Sequence, residues 1–337
     1  MGCNCAKNTH ENLIEMLNDS QENSNSNKID LMTQNNENKL INYEEEKQKL
    51  MEKLSLKGNF TEEDIKLILE NINNKVNSIE IPEDIIEKNK NENIIKLPLI
   101  KMNDGEIYEG NWNFEGEKEG FGICIYNDNK IYKGFWKKGI YDNYGILFNN
   151  KDNYYKGQFE NGIAKGKGEL LINNKIKFIG EFDNNLPNGH GEIIYLDDQT
   201  NYEGNIINGI KDGFGKLKFK DGTIYEGEFK DDKYNGKGKI IYSDNSEYEG
   251  EFHNNLKEGQ GIFKWADGKI FEGEFKNDKK NGKGKFIFKK NIYYEGNWIN
   301  DLAHGKGLYN INGKKFTGIF KYGRMIIEKN DETLEEK

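Results

Sequence analysis

The chain has 337 residues, 38 of them glycine, 12% aromatic, with only three prolines and a net charge of −9. Its mean hydropathy is −0.93. No strict third-residue glycine period exists, which excludes collagen, and the aromatic content argues against plain disorder. The charge is uneven: residues 1–97 carry 12 lysines against 19 acids, residues 328–337 carry 2 against 5, and the body between them is close to neutral at 35 against 34. A nucleic-acid binder would concentrate excess positive charge on one face, so that class is excluded.

In chain order, the start "MGCNCAKN" places Gly2, Cys3 and Cys5 together. No apolar run approaches the ~18 residues of a membrane helix, and the start lacks the apolar core of a secretory signal, so the expected compartment is the cytosol. Thiols normally stay reduced there, and Cys124 lies far from the other two. A lone C-x-C supplies two ligands where a structural zinc needs four. The remaining use is lipid: Gly2 fits the myristoylation pattern M-G-x-x-x-[ST], with Ala6 where Ser or Thr is preferred. One myristoyl chain holds a membrane only marginally, and no polybasic patch follows, so Cys3 and Cys5 are the expected palmitoylation sites.

Residues 8–42 are polar and low in complexity, a mostly disordered linker. Residues 43–93 carry helix signals. "YEEEKQKLMEKL" at 43–54 is one, and "TEEDIKLILENINNKV" is another, opening on a Thr61–Asp64 capping box with Ile65, Ile68, Leu69, Ile72 and Val76 on one stripe. Two readings are open for these segments: a helical hairpin that docks on the following array or on a partner, and transient helices in a solvated linker. At 94–105, "IIKLPLIKMNDG" reads as a capping strand that opens the array, with Pro98 suited to a sheet edge.

From residue 108 one phrase recurs: "YEGNW", "YKGFW", "YKGQF", "FIGEF", "YEGNI", "YEGEF", "YEGEF", "FEGEF", "YEGNW" and "FTGIF". The framework residues are Tyr108, Gly110 and Trp112, then Tyr132 and Gly134, Tyr155 and Gly157, Phe178 and Gly180, and Tyr202 and Gly204. It continues with Tyr225, Gly227 and Phe229, Tyr248, Gly250 and Phe252, Phe271, Gly273 and Phe275, and Tyr294, Gly296 and Trp298. A second phrase, G-x-G, follows each glycine by nine or ten residues. Repeat two departs from it with Asn143-Tyr144-Gly145, where Asn is the side chain best able to replace Gly at positive φ.

Period-two alternation makes each phrase a strand, two per repeat, joined as a continuous antiparallel meander. Pairs such as Asp104-Gly105, Asp221-Gly222, Asp267-Gly268, Asn312-Gly313, Asp244-Asn245 and Asn173-Asn174 are expected to close tight primed hairpins. The alternate connection, as in "KDDKYN", is expected to be longer and more open. Glycine between two aromatics on one face leaves room for rings over bare backbone, favouring an elongated, curved single layer. The array is expected to span 94–327 with about ten repeats, followed by an acidic tail at 328–337.

Lys165, Lys167, Lys237, Lys239, Lys283, Lys285 and Lys306 recur in register. They form either a basic ridge for lipid headgroups or partners for the equally regular glutamates. The near-neutral body favours the second.

The pattern Y-E-G-x-[WF] followed by G-x-G at a period of 23 resembles the MORN repeat, the membrane occupation and recognition nexus. The start resembles the dual-acylated leaders of Src-type kinases. MORN arrays occur in membrane-bridging proteins, in lipid kinases with an attached catalytic domain, and in ciliary or cortical cytoskeletal components; many self-associate, so a homodimer is one expectation. The resemblance implies a non-enzymatic scaffold with no cofactor. Its expected place is the cytoplasmic face of the plasma membrane, or of another cortical or ciliary membrane, beside a cytoskeletal or ciliary protein partner. A radial-spoke-type structural subunit and a phosphoinositide-binding module are the alternatives. Outside the repeats too little chain remains for a catalytic domain, no phosphate-binding loop occurs, and His10, His190, His253 and His304 have no partner at metal-ligand spacing.

Overall fold

The computed structural model describes residues 49–50, 81–88, 94–102, 104–128, 130–149 and 153–330. The expected acylation leader, the 8–42 linker and the capping-box helix at 61–76 lie outside these. Of the 43–54 segment, Lys49 and Leu50 are described and helical. Besides Lys49 and Leu50, the described residues form one short helix and 21 strands. None of their helices is long and apolar enough to cross a membrane. The chain divides into two compact units, 1–191 and 192–337.

In the first unit, α1 (Glu83–Lys88) precedes β1 (Ile95–Lys101), β2 (Ile107–Trp112), β3 (Lys118–Ile125), β4 (Ile131–Lys137) and β5 (Ile140–Phe148). Then come β6 (Tyr154–Glu160), β7 (Ile163–Ile172), β8 (Ile176–Asp183) and β9 (Leu186–Tyr195), within which the unit boundary falls. Each strand from β1 to β8 pairs antiparallel with the next. The expected capping strand is β1, and its register slips between Leu97 and Ile100, across Pro98, as a residue without an N–H requires.

The second unit is the same meander. It runs through β10 (Thr200–Ile207), β11 (Ile210–Lys218), β12 (Ile224–Lys230), β13 (Lys233–Ile241), β14 (Glu247–His253) and β15 (Leu256–Lys264). It closes with β16 (Ile270–Lys276), β17 (Lys279–Lys289), β18 (Ile292–Ile299), β19 (Leu302–Ile311), β20 (Lys314–Lys321) and β21 (Arg324–Asn330). The strand β21 pairs with β20 and carries the sheet three residues into the segment expected to be tail.

The two hairpin connections are the reverse of the expectation. Lys230 pairs with Lys233, so Asp231-Asp232 forms a two-residue loop, and both residues take positive φ, 48° and 64°. Asn254-Asn255, Asn277-Asp278 and Asn300-Asp301 do the same. These are the tight primed hairpins. At Asp221-Gly222 only the glycine is at positive φ (90°), its N–H donates to Phe219, and Phe219 N–H donates to Thr223. That is a type I turn closed by a glycine bulge. Asp104, Asp128, Asp198, Asp221, Asp244 and Asp267 each accept the N–H two residues on, an Asx turn that holds the aspartate in the right-handed region. Asn173-Asn174 and Asn312-Gly313 are the members of the expected set with two positive φ angles. Strand register sets the difference: Lys230 pairs with Lys233 and leaves two residues to turn, whereas Lys218 pairs with Ile224 and leaves five.

Burial alternates along most strands. In β12 Tyr225, Gly227 and Phe229 are buried and Glu226 and Glu228 exposed. In β4 the alternation fails, because Ile131 and Phe135 on the opposite face are buried too. There the sheet carries Ile107, Phe121, Ile123, Ile125, Ile146, Phe148 and Tyr154 on that face, and Ile81, Ile85 and Ile86 pack over it. Residues 81–88 therefore dock on the face opposite the glycines, since apolar side chains there need cover.

Candidate functional site

The framework residues assemble into one device per repeat. In β12 and β13 Gly227 lies opposite Gly238, and the ring of Tyr225 lies across both. A Cβ on Gly227 would meet Gly238 Cα at 2.5 Å and the Tyr225 hydroxyl at 2.7 Å, so only glycine fits. The hydroxyl reaches past the glycines and donates to the Glu228 carbonyl at 2.7 Å. Tyr108, Tyr132, Tyr155, Tyr202, Tyr248 and Tyr294 donate in the same way to the carbonyl three residues on. Phe178 and Phe271 keep the ring without the bond.

The second aromatics stand edge-on between successive first aromatics. Tyr225 makes T-shaped contacts with Phe229 of its own repeat at 5.0 Å and Phe252 of the next at 5.3 Å. Tyr248 repeats the contact with Phe252 and Phe275, Phe271 with Phe275 and Trp298, and Tyr108 with Trp112 and Trp136. Edge-to-face packing of this kind adds about 0.5–1.5 kcal/mol per pair beyond burial. The first glycine of each G-x-G takes positive φ, and Asn143 takes its place at 61°, as its side chain permits.

Sequence reading missed a third position, two residues before that turn glycine. Its occupants are Lys118, Tyr141, Ala164, Pro187, Lys211, Tyr234, Lys257, Lys280 and Ala303. All face the rings. Tyr141 and Tyr234 stack on Tyr132 and Tyr225 at 3.8 and 3.7 Å. The lysines place an ammonium over them: Lys280 Nζ is 5.1–5.7 Å from the centroids of Trp265, Phe271, Phe286 and Trp298. Lys257 lies similarly over Tyr242, Tyr248 and Phe263.

The counter-charge comes from the next primed hairpin. Asp232, Asp278 and Asp301 lie 3.0, 3.6 and 3.7 Å from Lys211, Lys257 and Lys280. Each also accepts the backbone N–H of its lysine. Where the inward residue is Ala164 or Tyr234, the capping residue is Asn185 or Asn255, which accepts the N–H without a charge. The signal was in the sequence as Lys followed 21 residues later by Asp, against Ala or Tyr followed by Asn. It was invisible without the register that makes the two neighbours.

Lys118 solves the same problem differently, with Glu106 at 2.8 Å and the Cys124 thiol at 3.2 Å. Burial works against its charge, but Cys124 and Glu106 more than offset it and hold its pKa above the usual lysine value. Burial pushes the Cys124 thiol up to about 12, so it is a protonated core residue. For Lys211 burial is likewise outweighed, by Tyr195 and Asp232. For Lys280 burial wins over Asp301 and the pKa falls.

The recurring lysines of the other face are interleaved with carboxylates. Lys165, Lys239 and Lys285 pair with Glu160, Glu247 and Glu295 at 2.6, 3.1 and 3.5 Å. Lys167 and Lys237 stand opposite Glu181 and Glu251, whereas Lys283 and Lys306 stand opposite Asn297 and Ile319. Gly2, Cys3 and Cys5 lie outside the described residues.

Glycine pairs roofed by aromatics and repeated hairpin by hairpin define a tandem β-repeat scaffold. The MORN repeat profile matches residues 108–130, 132–152, 155–175, 178–199, 202–224, 225–247, 248–270, 271–291 and 294–313, more than half of the chain. The chain belongs to the MORN-repeat family. Nine repeats match where about ten were expected; the tenth phrase, at Phe316, lies in β20 beyond the matched segments. No curated protein matches the chain. Among solved structures it is similar to the TCP domain of Drosophila melanogaster SAS-4 in complex with a proline-rich motif of Ana2. That likeness is 15% identical, covers 46% of this chain and 84% of that one, and has a TM-score of 0.30, too low to carry an argument.

Proposed function

We propose that the chain is a non-enzymatic scaffold held on the cytoplasmic face of a membrane by a myristoyl group on Gly2 and palmitoyl groups on Cys3 and Cys5. Its repeat array presents a platform to a cytoskeletal or membrane-associated protein. The observation that supports this most is how the array uses its reactive side chains. Its inward lysines and aspartates tie one hairpin to the next, and its tyrosine hydroxyls and Cys124 are taken up by hydrogen bonds within their own strands. The ion pairs of Lys165, Lys239 and Lys285 favour protein binding over a free ridge for phosphoinositides.

The leader's chemistry supports the anchor: one chain binds marginally, and two near-terminal thiols supply the second signal. Gly2→Ala and Cys3→Ser/Cys5→Ser variants, expressed in cells, are expected to leave the membrane fraction. Intact mass of the native N-terminal peptide should show loss of Met1 and the added acyl groups. If both variants stay where the wild type goes, the chain is a subunit of a protein assembly, and the ciliary reading replaces this one.

A further inference from the structure

The second unit is divided in charge. Residues 192–278 hold 12 basic against 19 acidic residues, a net −7, whereas residues 279–327 hold 11 against 2, a net +9. The excess lies in the last five strands, β17 to β21.

Part of it gathers beside apolar side chains on three neighbouring tight hairpins. Each turn is flanked by a cross-strand pair: Lys276 with Lys279, Ile299 with Leu302, and Lys321 with Arg324. Phe275, Trp298 and Phe320 are buried on the ring side, so by alternation Lys276, Ile299 and Lys321 stand on the opposite face. Ile299 is 39% and Leu302 44% exposed, and the four cations are exposed with them. None of the four has a carboxylate partner among the described residues, unlike Lys230 on an earlier hairpin, which pairs with Asp212 at 2.9 Å.

Tyr322 is a second departure. Elsewhere in this unit the first residue of the tight turn is Asn208, Asp231, Asn254, Asn277 or Asn300, side chains that tolerate left-handed φ. The last hairpin places a tyrosine there, at φ 49° and 63% exposed. A bulky ring held in that region and left in solvent is a mark of function rather than of folding.

We infer that this hairpin edge docks an acidic protein segment with apolar side chains at its centre; the inference rests on the reading of the array as a platform for a protein. An apolar centre within a charged rim is the anatomy of a protein interface. A phosphate backbone would leave Ile299 and Leu302 without an apolar partner. A bilayer separates charged and apolar layers by depth, whereas here the order basic, apolar, basic runs along one edge. Strand spacing also sets the partner's length: the two basic pairs lie four strands apart, about 19 Å, which an extended chain spans in about six residues.

The probe is therefore a rhodamine-labelled Glu-Glu-Ser-Leu-Ile-Ser-Glu-Glu peptide, followed by fluorescence anisotropy against the full chain made without acyl groups. Saturable binding is expected, about tenfold weaker when Gln replaces Glu in the peptide, and weaker again above 0.3 M salt or so. Lys279→Glu with Lys321→Glu should weaken it about tenfold, and Ile299→Ser with Leu302→Ser should weaken it as well. Lys216→Glu with Lys218→Glu, which changes the net charge equally within the acidic half, should leave it unchanged. The inference is overturned if the peptide does not bind, if the Gln peptide binds equally, or if the two charge-reversed chains behave alike. Failure of the peptide together with flotation of the same chain on phosphatidylserine vesicles would overturn the protein partner in favour of a membrane surface. Because no acyl group is present, none of these failures bears on the anchor, which the Gly2→Ala variant tests separately.

Discussion

Gly227→Ala tests the device on which every repeat depends. The added Cβ would lie 2.5 Å from Gly238 Cα, 2.7 Å from the Lys237 carbonyl oxygen and 2.7 Å from the Tyr225 hydroxyl. Two of those three atoms are backbone, so the strand pair must spread or the ring must lift. Overpacking of this kind costs about 1–3 kcal/mol, and a lifted ring also loses the hydroxyl bond to Glu228, about 0.5–1.5 kcal/mol. We expect a loss of about 1.5–4.5 kcal/mol. Gly222→Ala in the same repeat is the control. Nothing lies within 4 Å of its Cβ position, and the cost is only that of a φ of 90°, about 1–2 kcal/mol. Hydrogen exchange of the β12 and β13 amides measures local opening directly, which suits a repeat array whose stability is a sum of neighbouring terms. If the two variants open equally easily, ring-over-glycine packing is not what holds the hairpins together.

The lysine–aspartate rule predicts a recoverable defect. Asp232→Asn keeps the backbone cap but leaves the buried Lys211 ammonium without its carboxylate, and should destabilise by about 1–3 kcal/mol; adding Lys211→Ala should restore most of it, as in the native Ala164–Asn185 pair, and a urea double-mutant cycle with no coupling would refute this. Alkali should unfold the array. Burial raises the phenols of Tyr155, Tyr202, Tyr225 and Tyr248 above their ordinary value, and that of Tyr294 to about 12. Their stabilisation is therefore complete below the unfolded pKa of ~10 and is lost as pH rises through the folded values. Tyr225→Phe, which imitates the native Phe271, should lessen the loss in a circular-dichroism titration; an unchanged profile would refute the assignment.

Much of the fold was legible because its determinants are local. A glycine between two aromatics, at a period near 23, states both the strand and the face, and Asn143 announced its own left-handed turn. The hairpins were misread for an equally local reason. Asp-Gly satisfies both a primed turn and an Asx turn with a glycine bulge, and the choice depends on which register the flanking strands accept. Cover for the first repeats was visible only as apolar residues at outward positions, such as Ile123, Ile146 and Phe148; what packs on them, Ile81, Ile85 and Ile86, is far in sequence.

By itself the sequence determined the repeat, its two-strand unit, and the aromatic and glycine framework, since each depends on spacing within a few residues. The tertiary structure alone decided which lysine is buried and which aspartate neutralises it 21 residues on, because charge pairing and ring packing depend on distances across strands that no linear spacing expresses.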